Sequence, residues 1–163
     1  LLQTFFNLTP HRSPANLAPK YYGDTHMSGI KDITQLLASM EPTLNTQAFV
    51  FCTSQSLTLE QAAALNPQGL FLETEGITLI LTREDAQAAG FDASSDFRQI
   101  TLTVHSSLEA VGLTAAIAAE LAQAGISANV VAAYYHDHIF VPAADAQRAL
   151  AVLTQLQQRS ALA

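Results

Sequence analysis

The sequence predicts an α+β fold in which helices cover one face of an antiparallel sheet. Three observations predict it. First, residues 98–104 alternate, with Ile100, Leu102 and Val104 pointing one way and Thr101 and Thr103 the other, as in a half-buried strand. Second, Leu113, Ile117, Leu121 and Ala124 recur at helical spacing between Gly112 and Gly125, and a β-rich run follows at once. Third, the order strand, turn, strand, helix appears at 70–89 and again at 127–158, each time after a strand and a helix-like segment. The resulting βαββα order is the ferredoxin-like pattern. Two tandem halves are therefore expected, 46–97 and 98–159. The repeat is one of pattern and not of residue identity.

The elements follow in order. Residues 1–26 are polar, Pro-containing and without periodicity, and lack the three-part architecture of a signal peptide. Globular sequence starts at Met27, so 1–26 are expected to be a leader, disordered or foreign to the natural protein. Docking of Phe5 and Phe6 on the body stays open. Residues 27–45 are read as a short helix and link. The helix occupies 32–39, with Asp32 at its start and Pro42 beyond its end. A strand is expected at 48–53 and one or two helical turns at 59–65. Strands at 70–75 and 77–82 meet at Gly76 as a hairpin. A helix at 83–89 stops at Gly90. In the second half, strands at 127–135 and 138–141 are expected to turn at His136 and Asp137. A final helix follows Pro142 and buries Ala146, Leu150, Leu153 and Leu156. This half has no closing strand after its last helix. The other half, the 40–50 segment or a second chain must cover that sheet edge.

Composition removes several functions. Seven Lys and Arg stand against 14 Asp and Glu, a net charge of −7. No basic cluster exists to neutralise phosphates, so nucleic acid is excluded as a partner. No apolar run is long enough to span a bilayer, and no membrane partner is expected. Cys52 is the only cysteine, which fits a reducing, cytoplasmic setting, and its apolar neighbours suggest a buried thiol. No nucleophile motif, phosphate-cradling glycine loop or paired carboxylate arrangement is present, so neither catalysis nor a cofactor is expected.

The unit at 98–142 resembles the ACT domain, a small module that binds amino acids and regulates metabolic enzymes. Gly112, Ile117, Leu121, Gly125 and Ile126 carry the resemblance, together with the stretches 102–114 and 135–142. The likeness is topological over 46–97. The chain is similar to small bacterial proteins built of two ACT-like halves, and to the paired regulatory modules of aspartate kinases. The resemblance implies ligand contacts from the loop 105–111, completed across a domain boundary by the next strand start at 127–130. One departure concerns Val111, which stands where many ACT modules carry proline.

The candidate ligand residues are Ser106, Ser107, Leu108, Glu109, Val111, Gly112, Asn129 and Val130. Ser106 with Glu109 three residues later also fits a capping box. Alternatively the helix begins near Gly112, and the free hydroxyls and amides before it suit a carboxylate. Gly112 serves close approach of a ligand or close packing of helix on sheet. Asn129 is disfavoured in a strand, and a ligand amine or a neighbouring backbone would satisfy it. Glu109 could pair with an ammonium group. Tyr134 and Tyr135 are expected on opposite strand faces. His136, Asp137 and His138, with His105, suggest a metal set, but turn geometry is poor for tetrahedral ligation and Asp137 reads more simply as a turn residue. The expected function is a non-catalytic module that binds a small molecule, an amino acid by resemblance, and reports to a partner protein as a homodimer or with another chain. The alternatives are a structural dimerisation module without a ligand and a metal-dependent enzyme using the His-Asp-His segment.

Overall fold

A computed structural model describes Ile30, residues 32–104 and residues 110–162. The leader at 1–26 and the loop residues 105–109 lie outside the described residues. The elements run α1 (Ile33–Ser39), β1 (Pro42–Ser54), α2 (Leu59–Ala64), β2 (Gly69–Glu73), β3 (Gly76–Thr82), α3 (Arg83–Ala88), β4 (Phe97–Leu102), α4 (Leu113–Gln123), β5 (Asn129–Ala132), β6 (Asp137–Pro142), and α5 (Ala146–Ala161) after a short 3-10 turn. The six strands form one antiparallel sheet in the order β2-β3-β1-β4-β6-β5. The α+β class and the two tandem βαββα halves are as the sequence predicts.

The two halves interlock through β1, which is longer than the sequence suggests. Its C-terminal part pairs with β3 from Phe49–Thr82 to Ser54–Ile77, as the first strand of the first half. Its N-terminal part pairs Pro42, Thr43 and Leu44 with Leu102, Thr101 and Ile100, and so closes the second half. The missing closing strand is thus the 40–50 segment. Between the two parts the register shifts, and residues 45–47 stand against Gln99 alone. Asn45 fixes this bulge. Its amide donates to Gln99 Oε1 at 3.0 Å, its side-chain oxygen accepts from the Gln47 N–H at 3.0 Å, and its carbonyl accepts from Arg98 Nε at 3.1 Å. A bulge bends a strand and increases its twist, which lets one strand serve two halves.

Helices cover one face. Val50, Cys52, Leu79 and Leu81 pack under α2 and α3, with Ala62 and Ala86 buried. Ile100, Leu102, Ile139 and Val141 pack under α4 and α5 through Ile117, Leu121, Ala149 and Leu153. α1 joins this second core, because Leu36 and Met40 are fully buried in it. The other face carries Phe49, Ile80 and Phe140, each almost fully buried, with Phe97 and Val131 against them.

Local chemistry sets the helix ends. Asp32 caps α1 by accepting from the Gln35 N–H at 2.9 Å. Thr58 and Gln61 form a reciprocal capping box on α2. Gly125 ends α4 in a left-handed conformation, φ 69°, while the Ile126 N–H reaches back to the Leu121 carbonyl at 2.9 Å. A Cβ added at Gly125 would meet nothing within 4 Å. Gly125→Val is therefore expected to lose only the backbone term, about 1–2 kcal/mol, measurable as a shift in urea midpoint. A neutral result would place the helix stop elsewhere.

The second hairpin differs from the expectation. β5 ends at Ala132, and the Ala133 N–H donates to the His136 carbonyl at 3.2 Å to close the turn at 133–136. Tyr134 and Tyr135 therefore do not face opposite sides of a strand. They stand at the hairpin tip, exposed, with rings edge to face at 4.9 Å. Asp137 is not in the turn but is the first residue of β6.

Candidate ligand site

The site is built where β4 ends and α4 begins. Leu102 closes β4, and Leu113 opens α4 and is buried in the same core. Gly112 is the N-cap, in a left-handed conformation with φ 104°, and it offers no side-chain cap to the helix. A Cβ there would meet only Ile33 at ordinary contact distance, so the backbone angle, and not crowding, calls for glycine. The first-turn amides of α4 carry the positive end of the helix dipole. Val111 beside them is 85 % exposed.

Asn129 and Val130 lie elsewhere. Asn129 opens β5 opposite Phe140, whereas Ala132 ends β5 opposite Asp137, at the end of the sheet where Leu102 stops. Three residues of strand separate the two ends, roughly 10 Å at about 3.3 Å per residue. Asn129 is exposed, and its Nδ2 reaches the Phe140 carbonyl at 3.5 Å. Val130 faces the second core. Within one chain, then, the structure brings Val111 and Gly112 together and leaves Asn129 and Val130 at the opposite end of β5. Ser106, Ser107, Leu108 and Glu109 lie outside the described residues.

Asp137 is a candidate ligand residue that sequence reasoning misses. Its side chain is on the helix-facing side, since it pairs directly with Leu102 and alternates with Ile139 and Val141. It is 6 % exposed. Burial pushes its carboxyl above the ordinary value, with His138 and His136 pulling the other way. The alternation Asp137, Ile139, Val141 is the signal that could have found it. His138 points to the opposite face, where its Nδ1 lies 3.0 Å from Thr101 Oγ1. Burial, then His136, lowers its pKa, and Asp137 opposes the shift.

Among the described residues no group of three or more His, Cys, Asp or Glu is placed to hold a metal ion. His105 lies outside them. No described helix is long and apolar enough to cross a membrane. Cys52 is buried, and desolvation, followed by Asp92, raises its pKa, as in a packed and unreactive thiol.

Comparison with known proteins agrees with this architecture. The ACT domain family matches twice, over residues 28–98 and 94–155. The chain belongs to the ACT domain family and consists, over those residues, of two tandem ACT domains. A crystal structure of a Vibrio cholerae protein of unknown function, described as a possible transport protein, is 53% identical. It covers 80% of this chain and 99% of its own, with a TM-score of 0.70. The ligand-free regulatory subunit of aspartate kinase from Thermus thermophilus is 12% identical, over 73% of this chain and 97% of that one, with a TM-score of 0.55. An aspartokinase α and β subunit structure is also 12% identical, over 73% and 98%, with a TM-score of 0.54. These last two share the fold. A search of curated proteins gave no match. Family membership supports a regulatory, ligand-binding module.

Proposed function

We propose that the chain is a non-catalytic sensor that binds an amino acid at the 105–112 end of its second half and reports that state to another protein. The observation that carries this reading is the N-terminus of α4, an 11-residue helix whose N-cap glycine gives its first amides no side-chain cap. Such amides suit a carboxylate. The first half offers a contrast, because the capping box of Thr58 and Gln61 takes up the Gln61 N–H of α2 and the Thr58 N–H before it. Ser106, Ser107, Leu108 and Glu109 belong to this proposed site with Val111 and Gly112.

Asn129 and Val130 come to the site from a second copy. β5 is a sheet edge, and an edge strand is a template for pairing. Antiparallel pairing of two β5 edges about a two-fold axis sets the start of one strand against the end of the other. That places Asn129 of one chain beside the loop end of its partner. The homodimer is cytoplasmic in this reading, in keeping with a single unpaired cysteine.

Calorimetry on the full chain tests the site. Ser107→Ala, Glu109→Ala and Asn129→Ala are each expected to weaken amino-acid binding by about 1.5–3 kcal/mol, roughly tenfold or more. A ligand bound equally well by all three variants would move the site elsewhere.

A further inference from the structure

We propose that the open edge of β1 in the first half takes an extended segment of another protein as an added strand, with apolar residues of that segment on the Phe51 side and a lysine or arginine opposite Asp92. The edge belongs to the first half, so the proposal goes beyond the amino-acid reading above and does not rest on it.

The pairing of β1 supplies the first observation. β1 pairs with β3 as far as Ser54–Ile77, but it pairs with β4 only up to Phe49–Phe97. Residues 50–54 therefore have a strand on one side only. Alternate residues of a strand turn their N–H and C=O groups to opposite sides. Part of this backbone thus points to where β4 would continue. The chain before β4 does not take that place. Residues 91–96 form no strand, and the backbone hydrogen bonds of this link go to Ala86 and Ala143. Among the described residues none joins the link to residues 50–54. Instead a cleft of about 290 Å³ lies between residues 50–53 of β1 and the link, with Phe97 at its end.

The two halves supply the second observation. β4 is the first strand of the second half, as residues 49–54 are of the first. The side of β4 away from β6 is closed by Pro42, Thr43 and Leu44. The corresponding side of residues 50–54, away from β3, carries no described strand. The fold has a place for a closing strand in each half and fills one. An unfilled edge is a template for strand addition.

The chemistry of the cleft selects the occupant. On the helix-free side Phe51 is 38 % exposed, and its ring meets Phe97 edge to face at 5.2 Å. These rings offer an apolar seat. On the other side the link runs beside Cys52, because Phe91 and Ala93 pack in the same core. Asp92 is the one charged residue that lines the cleft among the described residues. It is exposed, and its carboxylate accepts from the Ser94 N–H at 2.9 Å and the Ser94 hydroxyl at 3.0 Å. Side chains of an added strand alternate between faces, so apolar residues meet the rings and a base between them meets Asp92. A second copy of this chain does not supply that base. The described arginines, Arg83, Arg98, Arg148 and Arg159, are engaged with Asp96, the Asn45 carbonyl, Asp145 and Glu120. The edge strands β2 and β5 contain no Lys or Arg. Charge complementarity therefore favours a different protein.

Fluorescence anisotropy of short capped peptides added to the full chain tests the proposal. The set alternates valine or phenylalanine with lysine. At least one peptide is expected to bind and to slow hydrogen exchange at the amides of residues 50–54. Glutamate in place of lysine should weaken that peptide about tenfold, and Asp92→Asn about threefold to fivefold, the size of an exposed ion pair. Asp92→Asn keeps the oxygen that accepts from the Ser94 N–H, so its urea midpoint should match the parent. Asp92→Lys should reverse the preference and take the glutamate peptide over the lysine peptide. Methylation of one alternate set of peptide amides should abolish binding, and methylation of the other set should leave it, because an added strand turns every second N–H to the edge. Binding without slower exchange at 50–54, binding that survives both methylations, or equal affinity for the glutamate form would overturn the proposal. So would a full chain that binds no peptide of the set, whether the link or another part of this chain closes the cleft.

Discussion

Phe140→Ala is expected to destabilise the protein by about 3–5 kcal/mol, the range for truncating a buried aromatic side chain. Phe140 is 1 % exposed. Its ring meets Phe49 edge to face at 5.7 Å and Phe51 at 5.5 Å. Phe140 belongs to β6 of the second half, and Phe49 and Phe51 belong to β1 in the part paired with the first half. The contact therefore crosses the junction on the helix-free face, and its loss weakens both halves. Urea unfolding should show a lower midpoint with an unchanged slope, because β1 serves both halves and they unfold together. Two separated transitions in the parent would contradict this coupling.

Leu36→Ala is expected to cost about 2–5 kcal/mol, as for other leucines cut back in a packed core. α1 has seven residues, too short to persist without tertiary contacts. Leu36 and Met40 are both fully buried. They enter the cluster that holds Ile117, Leu121 and Leu153. The expected loss follows if α1 is the third helix over the second half. A loss under about 1 kcal/mol, the size of an ordinary surface change, would make α1 a dispensable appendage.

These two residues also show what the sequence makes legible. α4 and the final helix are readable because Leu113, Ile117 and Leu121, and then Ala146, Leu153 and Leu156, repeat at helical spacing and are buried as expected, whereas Leu150 is only partly buried and Ala149 is buried beside it. β4 alternates cleanly and is a strand. The upstream part of β1 is not readable. Asn45 and Gln47 break the alternation, and the bulge they occupy depends on Gln99 and Arg98, distant in sequence. The docking of α1 on the second half has the same non-local cause, since β1 must first cross from one half to the other.

The candidate site is legible only in part. Gly112 and Gly125 mark the ends of α4 through their need for a left-handed backbone. The hairpin turn lies earlier than residue types alone indicate. Tyr134 and Tyr135 carry strand propensity, and the turn at 133–136 contains no Gly, Pro or Asn to announce it. That displacement puts Asp137 in the turn on a sequence reading and hides a buried carboxylate.

The central claim, that this tandem ACT module binds an amino acid, is tested most directly by a thermal-shift screen of the full chain against the twenty amino acids and related metabolites. At a concentration about 100-fold above its dissociation constant, a ligand specific for the native state adds about 2.7 kcal/mol. For a chain of this size that is a rise of roughly 5–10 °C in Tm. At least one amino acid is expected to produce such a rise. A flat response to every compound would contradict the sensor and favour a structural dimerisation module.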